Sequence, residues 1–97
     1  MICSFRDQAT EDVFNGVNSK MARKCCPRDL WALAQKKFDQ LDSVTDLEEL
    51  RIPPGNHLEK LVAKREGHYS IRINKQYRIC FVWTEKGPSD VEITDYH

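Results

Sequence analysis

Two neighbouring runs, HYSIRIN (68–74) and QYRICFVW (76–83), constrain the fold more than anything else in the chain. Tyr69, Ile71 and Ile73 alternate with Ser70, Arg72 and Asn74. Tyr77, Ile79, Phe81 and Trp83 then alternate with Arg78, Cys80 and Val82. Successive strand side chains leave on opposite faces, so each run has one apolar and one polar face. A tight turn near Asn74-Lys75 separates them, which predicts an antiparallel hairpin. An apolar sheet face must be covered by another layer.

The first half of the chain supplies that layer. PRDLWALAQKKFDQL is the strongest helix: Pro27 suits the first helical position and Asp29 the positive end of the dipole. Leu30, Leu33, Ala34, Phe38 and Leu41 form one stripe, with Trp31 on its border. Arg28, Gln35 and Lys36 lie off it, whereas Lys37 falls within it, with its stem part covered. DQATEDVFNG reads as a short helix, with Thr10, Glu11 and Asp12 in its first turn and Asn15-Gly16 as its stop. VNSKMARKCC fits either a loop or a further helix. Thr45 and Glu48 form a capping box that opens another short helix, and PPGN (53–56) ends it.

The remaining strands are weaker. ICSF is a candidate first strand, HLEKLVA alternates in part, EKGPSD reads as a loop, and VEITDY is the last strand. The expected fold is α+β, with N-terminal helices packed on one face of a small antiparallel sheet, in a single domain over 1–97. No apolar run spans a membrane and the start lacks a signal-peptide pattern, so a cytoplasmic location is expected. Cys3, Cys25, Cys26 and Cys80 make no C-x-x-C pair and no zinc-spaced cluster, so neither metal nor cofactor is expected. Lys plus Arg balances Asp plus Glu at 15 each, so net charge points to no partner. The base is nevertheless concentrated in KMARK, QKK and the strands.

If Ile71, Ile73, Ile79, Phe81, Val91 and Ile93 face the helices, the other face carries Ser70, Arg72, Arg78, Cys80, Glu92, Thr94 and Tyr96. A turn centred at Lys75 sets Arg72 opposite Arg78, and a loop centred near Gly87 sets Arg78 opposite Tyr96. The result is a solvent-facing stripe of two guanidiniums and a phenol, edged by Asp95 and His97, with Glu92 the only acid nearby. Planar guanidinium forks suit phosphate. A merely solvated sheet face tolerates arginine equally well. His97, the final residue, carries an α-carboxylate that favours its imidazolium, and an imidazole titrating near neutrality suits acid–base work.

These stretches, together with MICSFRDQATEDVFNG and RIPPGNHLEKL, resemble the HigB-type toxins of the RelE/ParE superfamily over nearly the whole chain. The combination of G-x-Y-S-I-R-I-N, Y-R-I-C-F and a chain-ending D-Y-H carries the resemblance. It implies a RelE-like microbial ribonuclease fold and a toxin that cuts messenger RNA on the ribosome. It also implies a HigA-type helix-turn-helix antitoxin that binds the toxin and represses the operon, so operator DNA is met only through the antitoxin. Asp95, Tyr96, His97 and Arg78 match the family's catalytic positions. Members commonly read L-K-G-D-R before the glycine, some with a histidine three residues before that lysine. Here Val62 stands at the lysine position and Glu59 at the histidine position.

RNA cleavage without a metal uses the 2′-hydroxyl as nucleophile. In that scheme Arg78 holds the phosphate with help from Arg72 or Arg65, and His97 is acid or base. Tyr96 stacks on a base or contacts the phosphate, and Asp95 orients a partner. Glu59 is a candidate base, and Lys60, Lys64 or His57 would stand in for the missing cation. Lys20, Arg23, Lys24 and Lys36 would meet ribosomal RNA backbone. A gyrase-inhibiting relative of the same fold and a family member that has lost activity are the rival readings. The expectation attached to the D-Y-H ending is that a strand stopping at the site delivers side chains into a cleft that an extension would block.

Overall fold

A computed structural model describes residues 1–62 and 67–96. Lys64, Arg65 and His97 lie outside the described residues. The chain runs through helices α1 (Gln8–Asn15), α2 (Lys20–Cys25) and α3 (Trp31–Ser43), then two 3-10 turns (Leu47–Arg51 and Pro54–Asn56). Strands β1 (Glu59–Lys60), β2 (His68–Arg72), β3 (Tyr77–Thr84) and β4 (Gly87–Asp95) follow. They form one antiparallel sheet in the order β1-β2-β3-β4, with the helices on its apolar face. This is the expected α+β, RelE-like arrangement.

The first two helices start at side-chain caps. Asp7 accepts the Thr10 amide at 2.7 Å to cap α1. Gly16 ends α1 at φ +73°, a left-handed conformation open to glycine. Ser19 caps α2 by accepting the Ala22 amide, which resolves the VNSKMARKCC stretch in favour of a helix. Asp12 ties the two helices together by accepting from Gln8 and from Ser19 at 2.6 Å.

Several boundaries differ from the sequence expectation. Pro27 precedes a 3-10 turn (Arg28–Leu30), and the α-helix begins only at Trp31. Trp31 is fully inside, with its indole N–H donating to the Cys26 carbonyl at 2.8 Å, while Leu33 turns to solvent. The capping box is one residue further on, at Asp46 and Glu49, and opens a 3-10 turn. Glu49 is recruited because its carboxylate accepts from the Thr45 amide and hydroxyl and the Asp46 amide together.

The core joins Trp31, Ala34, Phe38 and Leu41 of α3 to Ile71, Ile79, Phe81 and Val91 of the sheet. Phe5, Phe14 and Phe38 interlock with ring centroids 5.2–6.3 Å apart. Such pairs contribute about 0.5–1.5 kcal/mol beyond area burial.

Register between β2 and β3 is as expected, with Arg72 opposite Arg78. Asn74 shapes the turn by accepting the Gln76 and Tyr77 amides. Between β3 and β4 the register differs, and Arg78 faces Thr94 instead of Tyr96. EKGPSD is not a loop throughout: the turn is confined to Glu85-Lys86, and β4 starts at Gly87. A bulge then sets Asp90 and Val91 against Phe81, with Asp90 at φ +49°. The net displacement is two residues, an even number, so no side chain changes face.

ICSF is not an independent strand. It makes one parallel bridge, Phe5 to Val91, and hydrogen bonds beside β4: Cys3 to Pro88, Val91 to Ser4, and Arg6 to Val91. Pro88 lacks an N–H to donate outward, but its carbonyl serves this pairing.

Candidate functional site

The polar sheet face was expected to be a solvent-exposed stripe. Arg78, at its centre, is instead 7% exposed. A lone buried charge is costly, so it must be paired or hydrogen-bonded. Its Nε–H donates to the Ser70 hydroxyl at 2.8 Å. Nη2 donates to the His57 carbonyl and, more loosely, to the Ser70 carbonyl at 3.4 Å. Nη1 lies 3.8 Å from a Glu59 carboxylate oxygen. The Tyr96 ring stands 5.9 Å from the guanidinium carbon, on the far edge of cation–π range.

Four segments make this arrangement. β3 supplies Arg78, β2 supplies Ser70, and β4 runs out into Tyr96. The fourth is the stretch from Pro53 to Lys60, which leads into edge strand β1 beside β2. Buried Asn56 anchors that stretch: its amide donates to Gln40 at 2.9 Å and to the Leu50 carbonyl at 3.0 Å. Asn56 Oδ1 accepts from Lys37 Nζ at 2.6 Å. The expected partial covering of Lys37 is present, and burial pushes its ammonium below the usual lysine value. His57 follows in the left-handed region at φ +45° and turns its carbonyl to Arg78.

Tyr96 is half exposed, with its hydroxyl 3.8 Å from Cys80 Sγ. Burial, with the Cys80 thiol adding to it, pushes the phenol up from its usual value, against an opposing pull from Arg78. A raised phenol stays protonated at neutral pH and acts as a hydrogen-bond donor.

The structure brings Arg78, Tyr96 and Glu59 together and places Arg72 across from Arg78. Glu92 is not the acid that faces Arg78; it pairs with Arg6 at 3.7 Å, and Glu59 takes that place. Asp95 alternates away from Tyr96 and accepts from Gln76 Nε2 at 3.3 Å. The Gln76 carbonyl accepts the Tyr96 amide at 2.7 Å, so one turn residue steers both. Lys36 is exposed on α3, in the helix layer, and Lys60 is exposed on β1. Val62 is 88% exposed. His57 joins the cluster through its backbone, since its carbonyl is the group that meets Arg78.

Ser70 and Asn56 escaped the sequence reading as parts of the site. Ser70 was one polar residue in an alternating strand, and Asn56 followed Pro-Pro-Gly as a helix stop. Only a buried charge nearby marks either as special. A cavity of about 250 Å³ lies at the other end of β3, between Met1, Val44, Trp83 and Gly87, away from this cluster. Among the described residues, no helix is long and apolar enough to cross a membrane.

Residues 3–97 match the family model of the HigB-like toxin, described as the RelE-like toxin of type II toxin–antitoxin system HigB. The chain is 33% identical over 85 residues to Toxin HigB-1 of Vibrio cholerae serotype O1, covering 88% of this chain and 86% of that protein. It is 42% identical over 55 residues to an uncharacterized protein of Haemophilus influenzae, covering 57% and 54% of the two.

Proposed function

Because the chain belongs to the HigB-like family of RelE-like type II toxins, we propose that it is a messenger-RNA endoribonuclease that acts on the ribosome. The observation that carries this reading is the held guanidinium of Arg78 beside a protonated phenol. A fixed cation beside a hydrogen-bond donor suits a phosphodiester gaining charge in its transition state.

In this mechanism the RNA 2′-oxygen attacks the adjacent phosphorus and the 5′-oxygen leaves, so no metal is needed to make a nucleophile. Arg78 stabilises the crowded phosphate, with Arg72 or Arg65 as a helping cation. Tyr96 donates to a phosphate oxygen or stacks on a base. His97 gives or takes a proton, with Glu59 or Lys64 as the second proton-transfer group. Asp95, held by Gln76, fixes the end of β4. Glu59 has a second consequence: its carboxylate occupies the side of Arg78 that a phosphate would approach. The incoming phosphate displaces it, freeing it to accept a proton.

This set has few strong acids and bases. The ribosome compensates by holding the message in line for attack, an orientation effect that removes much of the barrier. Lys20, Arg23, Lys24 and Lys36 contact ribosomal RNA backbone without reading sequence. Membership of a type II system implies an antitoxin partner. We take it to be a HigA-type helix-turn-helix protein through which the toxin reaches operator DNA. The work is done in the cytoplasm, where the ribosomes are.

Primer extension on a message translated with and without the protein tests the reading. Cuts are expected only with ribosomes present and should fall by about 10²–10⁴-fold in His97→Ala. Equal cutting of naked RNA would remove ribosome dependence. Growth arrest through gyrase with no cuts would replace the proposal by the gyrase reading.

A further inference from the structure

We infer that Ser70 is a positioning residue: with the Asn56-anchored turn it clamps the Arg78 guanidinium so that one edge alone, Nη1, is offered to a phosphate. The inference rests on the role proposed above for Arg78 and adds how that role is made possible.

A guanidinium has five N–H bonds in one plane and turns freely about the side-chain bonds unless held. At Arg78 two of its three nitrogens are already committed. The Nε–H donates to Ser70 Oγ at 2.8 Å, and Nη2 reaches the His57 carbonyl and the Ser70 carbonyl. Among the described residues, Nη1 meets only an exposed, displaceable carboxylate at 3.8 Å. The clamp is itself rigid. Ser70 is fully buried, in the middle of β2 and paired with Cys80. The His57 carbonyl is fixed by buried Asn56, which is tied to Lys37 and Gln40 of α3. Neutral acceptors on one edge leave the positive charge unspent, whereas a carboxylate in the place of Ser70 would cancel it. A small hydroxyl thus does what an acid could not: it orients the cation and preserves its attraction for phosphate.

The first measurement needs no RNA. In ¹⁵N-labelled protein the guanidinium signals of Arg78 should show a slowly exchanging Nε–H and separately resolved Nη groups. Ser70→Ala should collapse them to the averaged pattern of exposed arginines, and Ser70→Thr, which keeps the hydroxyl, should restore them. Averaged signals in the unaltered protein, or no change in a folded Ser70→Ala, overturn the clamp.

The second measurement is message cutting on the ribosome. Ser70→Ala should lose roughly 10–10²-fold, the scale of a misplaced catalytic group. In the Arg78→Lys background the same change should cost less than about twofold, because lysine has no Nε–H fork for the hydroxyl to hold. Equal losses in both backgrounds would mark Ser70 as merely structural and overturn the inference. If Arg78→Ala itself cuts normally, the phosphate-binding reading falls, and the guanidinium signals still decide the clamp. If Arg78→Ala is defective and Ser70→Ala cuts normally, only the positioning role fails.

Discussion

Along its outer edge β4 is accompanied by the segment from Cys3 to Arg6, whereas β1, at the opposite edge, has two residues and is exposed. The β4 edge is secured repeatedly: by backbone pairing, by Ser4 Oγ accepting the Asp90 amide, and by Thr10 Oγ1 accepting the Ile93 amide. The β1 edge pairs with β2 over two residues and through the Leu61 amide, and the stretch leading into it is anchored by buried Asn56. The candidate site draws on both. Tyr96 comes off the secured edge, while the His57 carbonyl and Glu59 come from the lightly held one. The contrast teaches that the geometry around Arg78 is set in the centre by β2 and β3, and that its β1 side is where it can be loosened or retuned.

The largest expected effect lies between the edges. If Arg78 has the role proposed for it, Arg78→Ala should lower message cutting by about 10²–10³-fold, the usual cost of removing a group aimed at transition-state charge. Primer extension reads the loss, with thermal melting as the folding control.

Breaking the secured edge should act on stability. Gly87 sits at φ +126°, and a Cβ there would come within 2.4 Å of the Met1 carbonyl oxygen. Gly87→Ala should cost about 2–3 kcal/mol, because strained backbone is joined by a clash with main chain. Denaturant unfolding measures it, and a loss under half that size would show that the amino-terminal segment moves aside freely.

Breaking the light edge should act on both properties. Asn56→Ala leaves Lys37 Nζ and the Leu50 carbonyl without their partner, an expected cost of about 1–2 kcal/mol. Cutting should fall as well, because the His57 carbonyl loses its anchor. Loss of stability with unchanged cutting would separate this edge from the site.

The same edge offers a gain. Val62 is exposed, and the resemblance drawn from the sequence sets it where family members commonly carry a lysine. Val62→Lys should therefore raise cutting by a few-fold, roughly the effect of one added surface cation near a phosphate. The smallest effect belongs to Lys36→Ala, less than about twofold and visible only at low salt, since it removes one backbone contact among several.

Much of the architecture was legible in the sequence. Strict alternation placed Ile71, Ile73, Ile79, Phe81, Val91 and Ile93 on one face, and all six are buried. The Asn74 turn set Arg72 against Arg78 correctly, because hairpin register follows from a few adjacent residues. The β3–β4 register was not legible. It depends on a bulge at Asp90 that is stabilised by Ser4, 86 positions away in the chain.

The site was legible only as a set of residue types. Arg78, Tyr96 and Glu59 do meet, but alternation sends Asp95 to the other face. The exposure of Arg78 was also misjudged.

By itself the sequence determined the α+β layering and the family, because periodicity and short motifs are local properties. Only the tertiary structure decided that Arg78 is buried, that Ser70 and His57 share its N–H groups, and that Glu59 stands where Glu92 was expected. Burial of a charge is not a property of its neighbours in sequence. It is settled when the stretch anchored by Asn56 brings a carbonyl 21 positions away to the guanidinium.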